Sequence, residues 1–367
     1  MKKLIALTLA MALLLCGCGG KTKAPAAQSA PAPTIAQIQA PTTEPTTEPT
    51  TEPTTEPTEP PVYYNPLNGS LLDAPFTGRV WANTISNMQE NMPHVNVVKA
   101  DIVMEMFVNM NNIVRCLALY TDFDAVEAVG STRSTRPIFN DIAQHYDLVL
   151  SYAGGSETAL NDLANRGVDG VNIDTSEAME AGASYRDKEY NRSLENSLFG
   201  VGSGIKALAE SKGIAMELDR DYGLNFVEDG TPADGENASQ ISLTFTYNNG
   251  NTKKNTTMMF DGNLGKYVWN QYGKPMADQI TGQAEAFTNV IIMDTVITNN
   301  GIYHAADFNQ GGTGYYANGS KIIPITWTCD GEKEPFRYYT MDGQPLSIGQ
   351  GNTYIGIIPT GSAVSYS

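Results

Sequence analysis

The chain has 367 residues, of which 41% are hydrophobic and 17% charged, and its formal net charge is −17. The apolar content is sufficient for a core and excludes a collagen, a coiled coil and a wholly disordered polymer. Because phosphate backbones repel a chain this acidic, nucleic acid is not an expected partner. The length allows two domains.

The N-terminus predicts an export signal with a lipid attachment site. Two lysines precede an apolar run from Leu4 to Leu15, which is shorter than the about 20 residues that a membrane-spanning helix needs. Gly17 and Cys18 at its end resemble a bacterial lipobox, so residues 1–17 are predicted to be a lipoprotein signal peptide. A diacylated Cys18 would make the lipid bilayer a partner and place the chain on the outer face of the cytoplasmic membrane. The alternative is an ordinary cleaved signal with incidental cysteines.

Residues 18–61 are predicted to be a disordered stalk that follows the lipidated cysteine. Residues 42–57 are four copies of Thr-Thr-Glu-Pro. Proline at every fourth position blocks helix and ladder hydrogen bonds and favours the polyproline II conformation. A docking motif for another protein is the alternative interpretation of this composition.

Residues 62–228 are predicted to form an N-terminal α/β domain with alternating strands and helices. Two runs, 101–108 and 112–121, are predicted to pair as strands. Apolar spacing predicts a helix over 137–146 with proline in its first turn. An N-cap at Ser156 and a stop at Gly167 predict a second helix. The other elements predicted here are strands at 147–152 and 168–173 and a helix at 205–212.

Residues 238–367 are predicted to form a β-rich C-terminal domain. Its β-type runs alternate with Asp-Gly and Asn-Gly pairs, which favour hairpin turns. These runs are 241–247, 256–260, 266–269, 289–297, 321–328 and 354–358. No helix longer than two turns is predicted after Gly273, and residues 229–237 are predicted to be a polar linker. The predicted fold class is α+β (or α/β), a mixed α/β sandwich followed by the β-rich domain.

The strongest candidate for a binding site is Gly130–Pro137, which holds two arginines and four hydroxyl side chains just before a predicted helix. Free N–H groups and the helix dipole favour an anion there. Arg133 and Arg136 add planar donors for carboxylate or phosphate, and Ser134 lies between them. The alternative is that these arginines brace the fold by pairing with acids of the chain, such as Asp122, Asp124 or Asp141.

Three further residues are candidates for the same anion site. Arg115 stands in an apolar run, where a buried arginine needs a partner, and strand alternation places it on the face of Leu117. Arg186 has an adjacent aspartate as a simple structural partner. Ser156 follows two glycines, so it could contact a ligand or cap the helix. Convergence of the four arginines would form an anion pocket.

The sequence does not support a metal site or a cofactor. His94, His145 and His304 are isolated and lack the spacing that puts two ligands on one helix face. Cys116 and Cys329 remain in the mature chain, and a disulfide between them is left open. A cysteine nucleophile is disfavoured because neither cysteine has a nearby histidine in the sequence.

Several stretches of the chain resemble the YerB-like bacterial lipoprotein family, which has an N-terminal and a C-terminal domain. The matching stretches are Asn65–Gly69, Ala100–Glu105, Arg115 with its apolar run, Gly130–Pro137, Tyr152–Ser156, Tyr185–Asp187, Gly314–Gly319, Trp327 and Gly351–Pro359. The chain departs from the family pattern at three places. Asn109–Asn112 stands where the family has a Glu-Gly-Gly-like turn, and Leu194–Asn196 stands where it has Pro-His-Asn. Met276 stands where the family has a histidine. The resemblance implies an envelope lipoprotein and carries no reaction across.

The preferred hypothesis is a membrane-tethered envelope protein that binds an anionic ligand, such as a cell-wall glycan, through its arginines. One alternative is a hydrolase or transferase acting on wall polymer, with Asp101, Glu105 or Asp187 as acid or base. The other is a scaffold that binds another envelope protein through the β-rich domain. Whether the chain is an enzyme is left open.

Overall fold

The structure is a computed structural model that describes residues 61–110, 113–187, 193–247 and 252–367. The predicted signal peptide, Cys18 and all of the predicted stalk except residue 61 lie outside the described residues. The described residues belong to the compact unit Pro60–Ser367. Within these four ranges, no helix has both the length and the apolar character needed to cross a membrane.

The described residues contain four α-helices, all of them in the first half of the folded region. They are α1 (Pro137–Tyr146), α2 (Glu157–Arg166), α3 (Ser176–Glu180) and α4 (Gly202–Ser211). Short 3-10 turns are found at Gln89–Asn91, Val97–Lys99, Leu194–Asn196 and Phe308–Gln310.

Strands make up most of the regular structure. The N-terminal half contributes β1 (Tyr63–Tyr64), β2 (Leu71–Leu72), β3 (Trp81–Ser86), β4 (Ile102–Phe107), β5 (Val114–Tyr120), β6 (Val129–Gly130), β7 (Val149–Tyr152), β8 (Gly170–Asn172), β9 (Ser184–Arg186), β10 (Leu198–Gly200) and β11 (Asn225–Val227). The rest are β12 (Glu236–Asn237), β13 (Gln240–Tyr247), β14 (Thr252–Asp261), β15 (Lys266–Gln271), β16 (Lys274–Pro275), β17 (Ala286–Phe287), β18 (Asn289–Thr295), β19 (Ile297–Asn300), β20 (Tyr303–Ala306), β21 (Gly312–Asn318), β22 (Lys321–Thr328), β23 (Arg337–Thr340), β24 (Ser347–Gly349), β25 (Thr353–Pro359) and β26 (Ala363–Tyr366). The fold is therefore α+β and mostly β.

The largest sheet has eleven strands and joins both halves of the chain. Its order is β12-β22-β21-β18-β25-β4-β5-β3-β7-β8, with β23 also paired to β22. β25 pairs in parallel with β4, so that Tyr354 lies beside Val103. Strands from both predicted domains thus share one sheet, and the boundary drawn through 229–237 stays a prediction. The last two residues of the predicted linker, Glu236 and Asn237, form β12, which pairs with β22.

A six-stranded sheet packs on one face of the large sheet, and helix α1 packs on the other. The smaller sheet has the order β16-β15-β14-β13-β26, with β17 on β15. Its Phe245 ring lies 6.0 Å from that of Phe107, and its Trp269 ring lies 5.6 Å from that of Tyr354. On the opposite face, Ile138 and Phe139 of α1 join a second buried cluster. The large sheet is therefore covered on both faces.

Several local predictions are confirmed. The helix predicted over 137–146 has these bounds, and Ser156 caps α2 by accepting the Ala159 N–H at 3.2 Å. Gly167 ends α2 with a φ of +65°, a conformation in which glycine is the least strained residue. The two runs predicted to pair form the antiparallel β4 and β5. In the described ranges after residue 273, no α-helix is found.

Candidate functional site

Three neighbouring strands end at the same edge of the large sheet. β3 pairs in parallel with β7, and β7 pairs in parallel with β8, so their carboxyl ends lie together. α2 begins just after β7, and α1 begins just after the segment 131–136, which crosses this edge. The space outside the carboxyl ends of parallel strands is where open α/β sheets bind ligands.

The backbone of 131–136 is held by hydrogen bonds rather than left free for a ligand. The Arg133 N–H donates to Thr84 O at 2.9 Å, and the Thr135 N–H donates to Gly154 O at 3.0 Å. The Thr132 N–H donates to Leu198 O at 2.8 Å. The prediction that free N–H groups here receive an anion is therefore wrong for these three groups, since the surrounding strands already use them. Side chains remain as the donors of the candidate site.

Arg115 is the buried cation of the site. It is the second residue of β5 and is only 3% exposed, and its Nη1 donates to the carbonyl oxygen of Ser134. Among the described residues, no carboxylate forms an ion pair with it. Burial, followed by the charges of Arg136 and Arg133, lowers the pKa of Arg115 well below its ordinary value. A guanidinium stays protonated at physiological pH, so its burial costs desolvation free energy. An added anion would reduce this cost.

Arg136 lies close to Arg115 and is half-buried. Its guanidinium sits 4.7 Å from the centre of the Tyr303 ring, and its Nη1 donates to Thr135 O at 2.6 Å. The Nε atom is buried without a hydrogen-bond acceptor in the described part of the chain. Burial lowers the pKa of Arg136, and the neighbouring Arg133 lowers it further. Arg136 is therefore a second cation whose charge no described carboxylate neutralises.

Arg133 and Arg186 are paired with acids of the chain itself. Arg133 donates to the Glu195 carboxylate and, at 2.7 Å, to the Glu195 carbonyl oxygen. Arg186 donates to Asp174 at 2.5 Å and to Leu194 O at 2.5 Å. The three acids named in the bracing alternative have other partners. Asp124 pairs with Lys206 and Asp141 with Arg166, and Asp122 accepts the Asp124 N–H at 2.8 Å. The structure thus brings Arg115, Arg133 and Arg136 together, whereas the charge of Arg186 is already balanced.

Ser134 contacts the arginine group, whereas Ser156 has a structural role. Ser134 lies between the arginines and offers its carbonyl oxygen to Arg115. Ser156 uses its hydroxyl to cap α2, as the structural alternative expects. Tyr303 and Glu195 were not predicted as site residues. No local signal could have indicated them, because each reaches the site from a distant part of the chain.

Two of the three carboxylates proposed for acid or base catalysis make contacts inside the protein. Glu105 is fully buried and pairs with Lys254 and Tyr354. Asp101 is 8% exposed and accepts hydrogen bonds from the Thr121 N–H at 2.8 Å and from Asn68. Burial raises the pKa of Asp101. Asp187 is half-buried at the end of β9. Glu105 and Asp101 are therefore committed to internal contacts.

Folding also places the thiol of Cys329 beside the imidazole of His145, although the two residues are far apart in the sequence. Cys329 Sγ lies 3.2 Å from His145 Nδ1, and Asp141 lies 3.6 Å from His145 Nε2. The pair is not an activated nucleophile. His145 Nδ1 donates to Gly331 O at 2.9 Å and so cannot accept the thiol proton. Burial raises the pKa of Cys329 to about 12, whereas the thiolate is the reactive form.

Cys116 and Cys329 are both free and buried, so they do not form the disulfide left open by the sequence. Within the described ranges, no group of three or more His, Cys, Asp or Glu side chains is arranged to hold a metal ion.

Comparisons with known proteins agree with the two-part resemblance. Residues 69–215 match the protein of unknown function (DUF3048) N-terminal domain, and residues 243–355 match the DUF3048 C-terminal domain. The YerB protein of Bacillus subtilis (strain 168), whose name describes it as a lipoprotein, is 25% identical over 313 residues, which cover 81% of this chain and 89% of the relative. The crystal structure of Bacillus subtilis YerB superposes with a TM-score of 0.69 at 22% identity, covering 82% of this chain and 99% of that one. The chain belongs to the YerB-like family and contains both DUF3048 domains.

Proposed function

We propose that the chain is a lipid-anchored envelope protein that binds an anionic group of a cell-envelope polymer at the carboxyl edge of β3, β7 and β8. Arg115 and Arg136 supply the charge for this site. The observation that carries the proposal is Arg115, which is 3% exposed and has no ion-paired carboxylate among the described residues. Burial of a charge that has no ion-paired partner is costly, so an external anion would gain much of its binding energy here.

The roles of the arginines follow from their exposure. Arg136 is half-buried whereas Arg115 is 3% exposed, so Arg136 is the direct contact for the anion. Arg115 is almost fully buried and contributes mainly through its charge. Tyr303 holds the Arg136 guanidinium against its ring face, which restricts the orientation of the fork.

The binding test uses the full-length chain in neutral detergent with purified bacterial cell walls, followed by sedimentation. Arg136→Gln should weaken binding about 10- to 100-fold, because hydrogen bonds to charged groups contribute about 1.5–3 kcal/mol. Arg337→Gln is the matched control, since Arg337 is already paired with Asp221 at 2.9 Å. Binding of the original chain should fall as the salt concentration rises. Equal sedimentation of all three proteins at low salt would contradict the proposal.

The anchor is proposed from the lipobox-like sequence at Cys18 and from the name of the Bacillus subtilis relative. Such an anchor would place the chain on the outer face of the cytoplasmic membrane. Labelling with a palmitate analogue in cells should mark the chain, and Cys18→Ser should abolish the label. Cys16→Ser is the control and should keep it. The hydrolase or transferase and scaffold alternatives stay predictions.

A further inference from the structure

We infer that the Glu195 carboxylate is a built-in occupant of the anion site and that an external oxyanion displaces it from Arg133. This inference rests on the proposed function, because it assigns a competitor to the same site. It makes Arg133 a third ligand-binding arginine that becomes available only when the ligand arrives.

The contacts of Glu195 support this role. Its carboxylate accepts a hydrogen bond from Arg133 Nη2, and its side chain is 76% exposed, whereas that of Arg133 is 14% exposed. The charge of Glu195 also acts on Arg115 and raises its pKa, opposing the effect of burial. The Glu195 side chain thus supplies negative charge to Arg133 and Arg115, while most of its own surface faces solvent.

The turn that carries Glu195 is fixed by contacts that do not involve its carboxylate. Arg133 Nη1 donates to Glu195 O at 2.7 Å, and Ser131 Oγ donates to Asn196 O at 2.8 Å. Arg186 Nη1 donates to Leu194 O at 2.5 Å. The carboxylate can therefore rotate into solvent without any movement of the backbone.

Charge also favours the exchange. Arg115, Arg133 and Arg136 lie close to one another, and Glu195 is the carboxylate that contacts this group in the described part of the chain. The Arg133–Glu195 ion pair is weakened because its Glu195 side chain is mostly exposed, so water screens the pair and the side chain loses freedom by forming it. An external carboxylate or phosphate oxygen can therefore replace Glu195 at Arg133 and gain the charge of Arg115 and Arg136 as well.

The test measures binding of inorganic phosphate to the full-length chain in neutral detergent at low salt, by calorimetry. Glu195→Gln should bind phosphate about two- to fivefold more tightly than the original chain, which corresponds to the small energy of an exposed pair. Glu210→Gln is the control, since Glu210 is exposed on α4 and has no described ion pair. Glu195→Ala, which retains the backbone contacts of the turn, should also bind more tightly. Circular dichroism confirms that each variant is folded.

The outcomes separate this inference from the proposed function. If Arg136→Gln weakens phosphate binding but both Glu195 variants bind like the original chain, Glu195 is not a competitor and the inference is wrong while the site stands. If Arg136→Gln and the original chain bind phosphate equally, the proposed function fails. Tighter binding by the Glu195 variants, together with weaker binding by Arg136→Gln, supports both.

Discussion

The Lys254 ammonium forms an ion pair with the Glu105 carboxylate between the two largest sheets, where their side chains are 6% and 0% exposed. Lys254 belongs to β14 of the six-stranded sheet, and Glu105 belongs to β4 of the eleven-stranded sheet. The carboxylate also accepts hydrogen bonds from Asn87 Nδ2 at 2.6 Å and from Thr256 Oγ1 at 2.8 Å. This pair therefore ties the sheets together with each charge compensated.

Removal of one charge from this pair should strongly destabilise the protein. Glu105→Gln leaves the buried Lys254 without its counter-charge, and we expect a loss of about 3–5 kcal/mol in the free energy of unfolding. Urea denaturation followed by tryptophan fluorescence measures this change. The double variant Glu105→Gln with Lys254→Met should recover part of the loss, because no unpaired charge remains. A single variant as stable as the original chain would contradict a bridging role.

His304 should make the protein less stable in mild acid. Burial lowers the pKa of His304 to about 4, from about 6.5 in the unfolded chain. The unfolded state therefore binds a proton between these values while the folded state does not, so stability is full above pH 6.5 and falls as the pH drops to about 4.

The variant His304→Gln tests this pH dependence. It removes the titrating group, so the decline in melting temperature between pH 6.5 and 4 should become shallower. The absolute stability at neutral pH is compared separately, because His304 Nδ1 donates to Asn299 Oδ1 at 2.9 Å in the original chain. An unchanged slope between the two proteins would show that other groups dominate acid unfolding.

Cys116 and Cys329 should resist alkylation in the folded protein. Both are buried, and burial raises the pKa of each thiol, so the reactive thiolate is scarce at pH 8. Iodoacetamide labelling with peptide mass spectrometry should find both positions unmodified in buffer and modified in guanidinium chloride. Rapid labelling of Cys329 in buffer would mean that His145 activates it.

Tyr303 should stabilise the orientation of Arg136 through its ring face. Tyr303→Leu removes the cation–π contact, and we expect a loss of about 0.5–1 kcal/mol in the free energy of unfolding. Tyr303→Phe keeps the ring and is the control, with a stability close to that of the original chain. Thermal unfolding of the three proteins provides the comparison. If Tyr303→Phe loses as much as Tyr303→Leu, the hydroxyl rather than the ring face is responsible.

Short-range patterns predicted several elements well. The bounds of α1 follow from a 3.6-residue apolar spacing and a proline in the first turn, and those of α2 follow from its serine cap and its glycine stop. Strand β3 was not predicted as a separate element. All six of its residues are buried, and Asn83 and Thr84 stand among its apolar side chains, so no alternation marks a solvent face. Sequence periodicity is informative only where one face meets water.

The sequence predicted which arginines cluster at the site but not which of their charges are balanced. Arg133, Ser134 and Arg136 are neighbours in sequence, and a local excess of charge in an acidic chain made them visible. Whether each charge is balanced depends on residues far away, such as Glu195 for Arg133 and Asp174 for Arg186. Glu105 resembled a free acid for the same reason, because its counter-charge comes from the second sheet.

Helix bounds, hairpin turns and the presence of an arginine cluster could be read from the amino acids alone, because backbone preferences and charge density act over a few neighbouring residues. The pairing of β25 with β4, the burial of Glu105 against Lys254 and the lack of an ion pair between Arg115 and any described acid emerged from folding. These features depend on which distant strands exclude water together, and that selection involves the whole core at once.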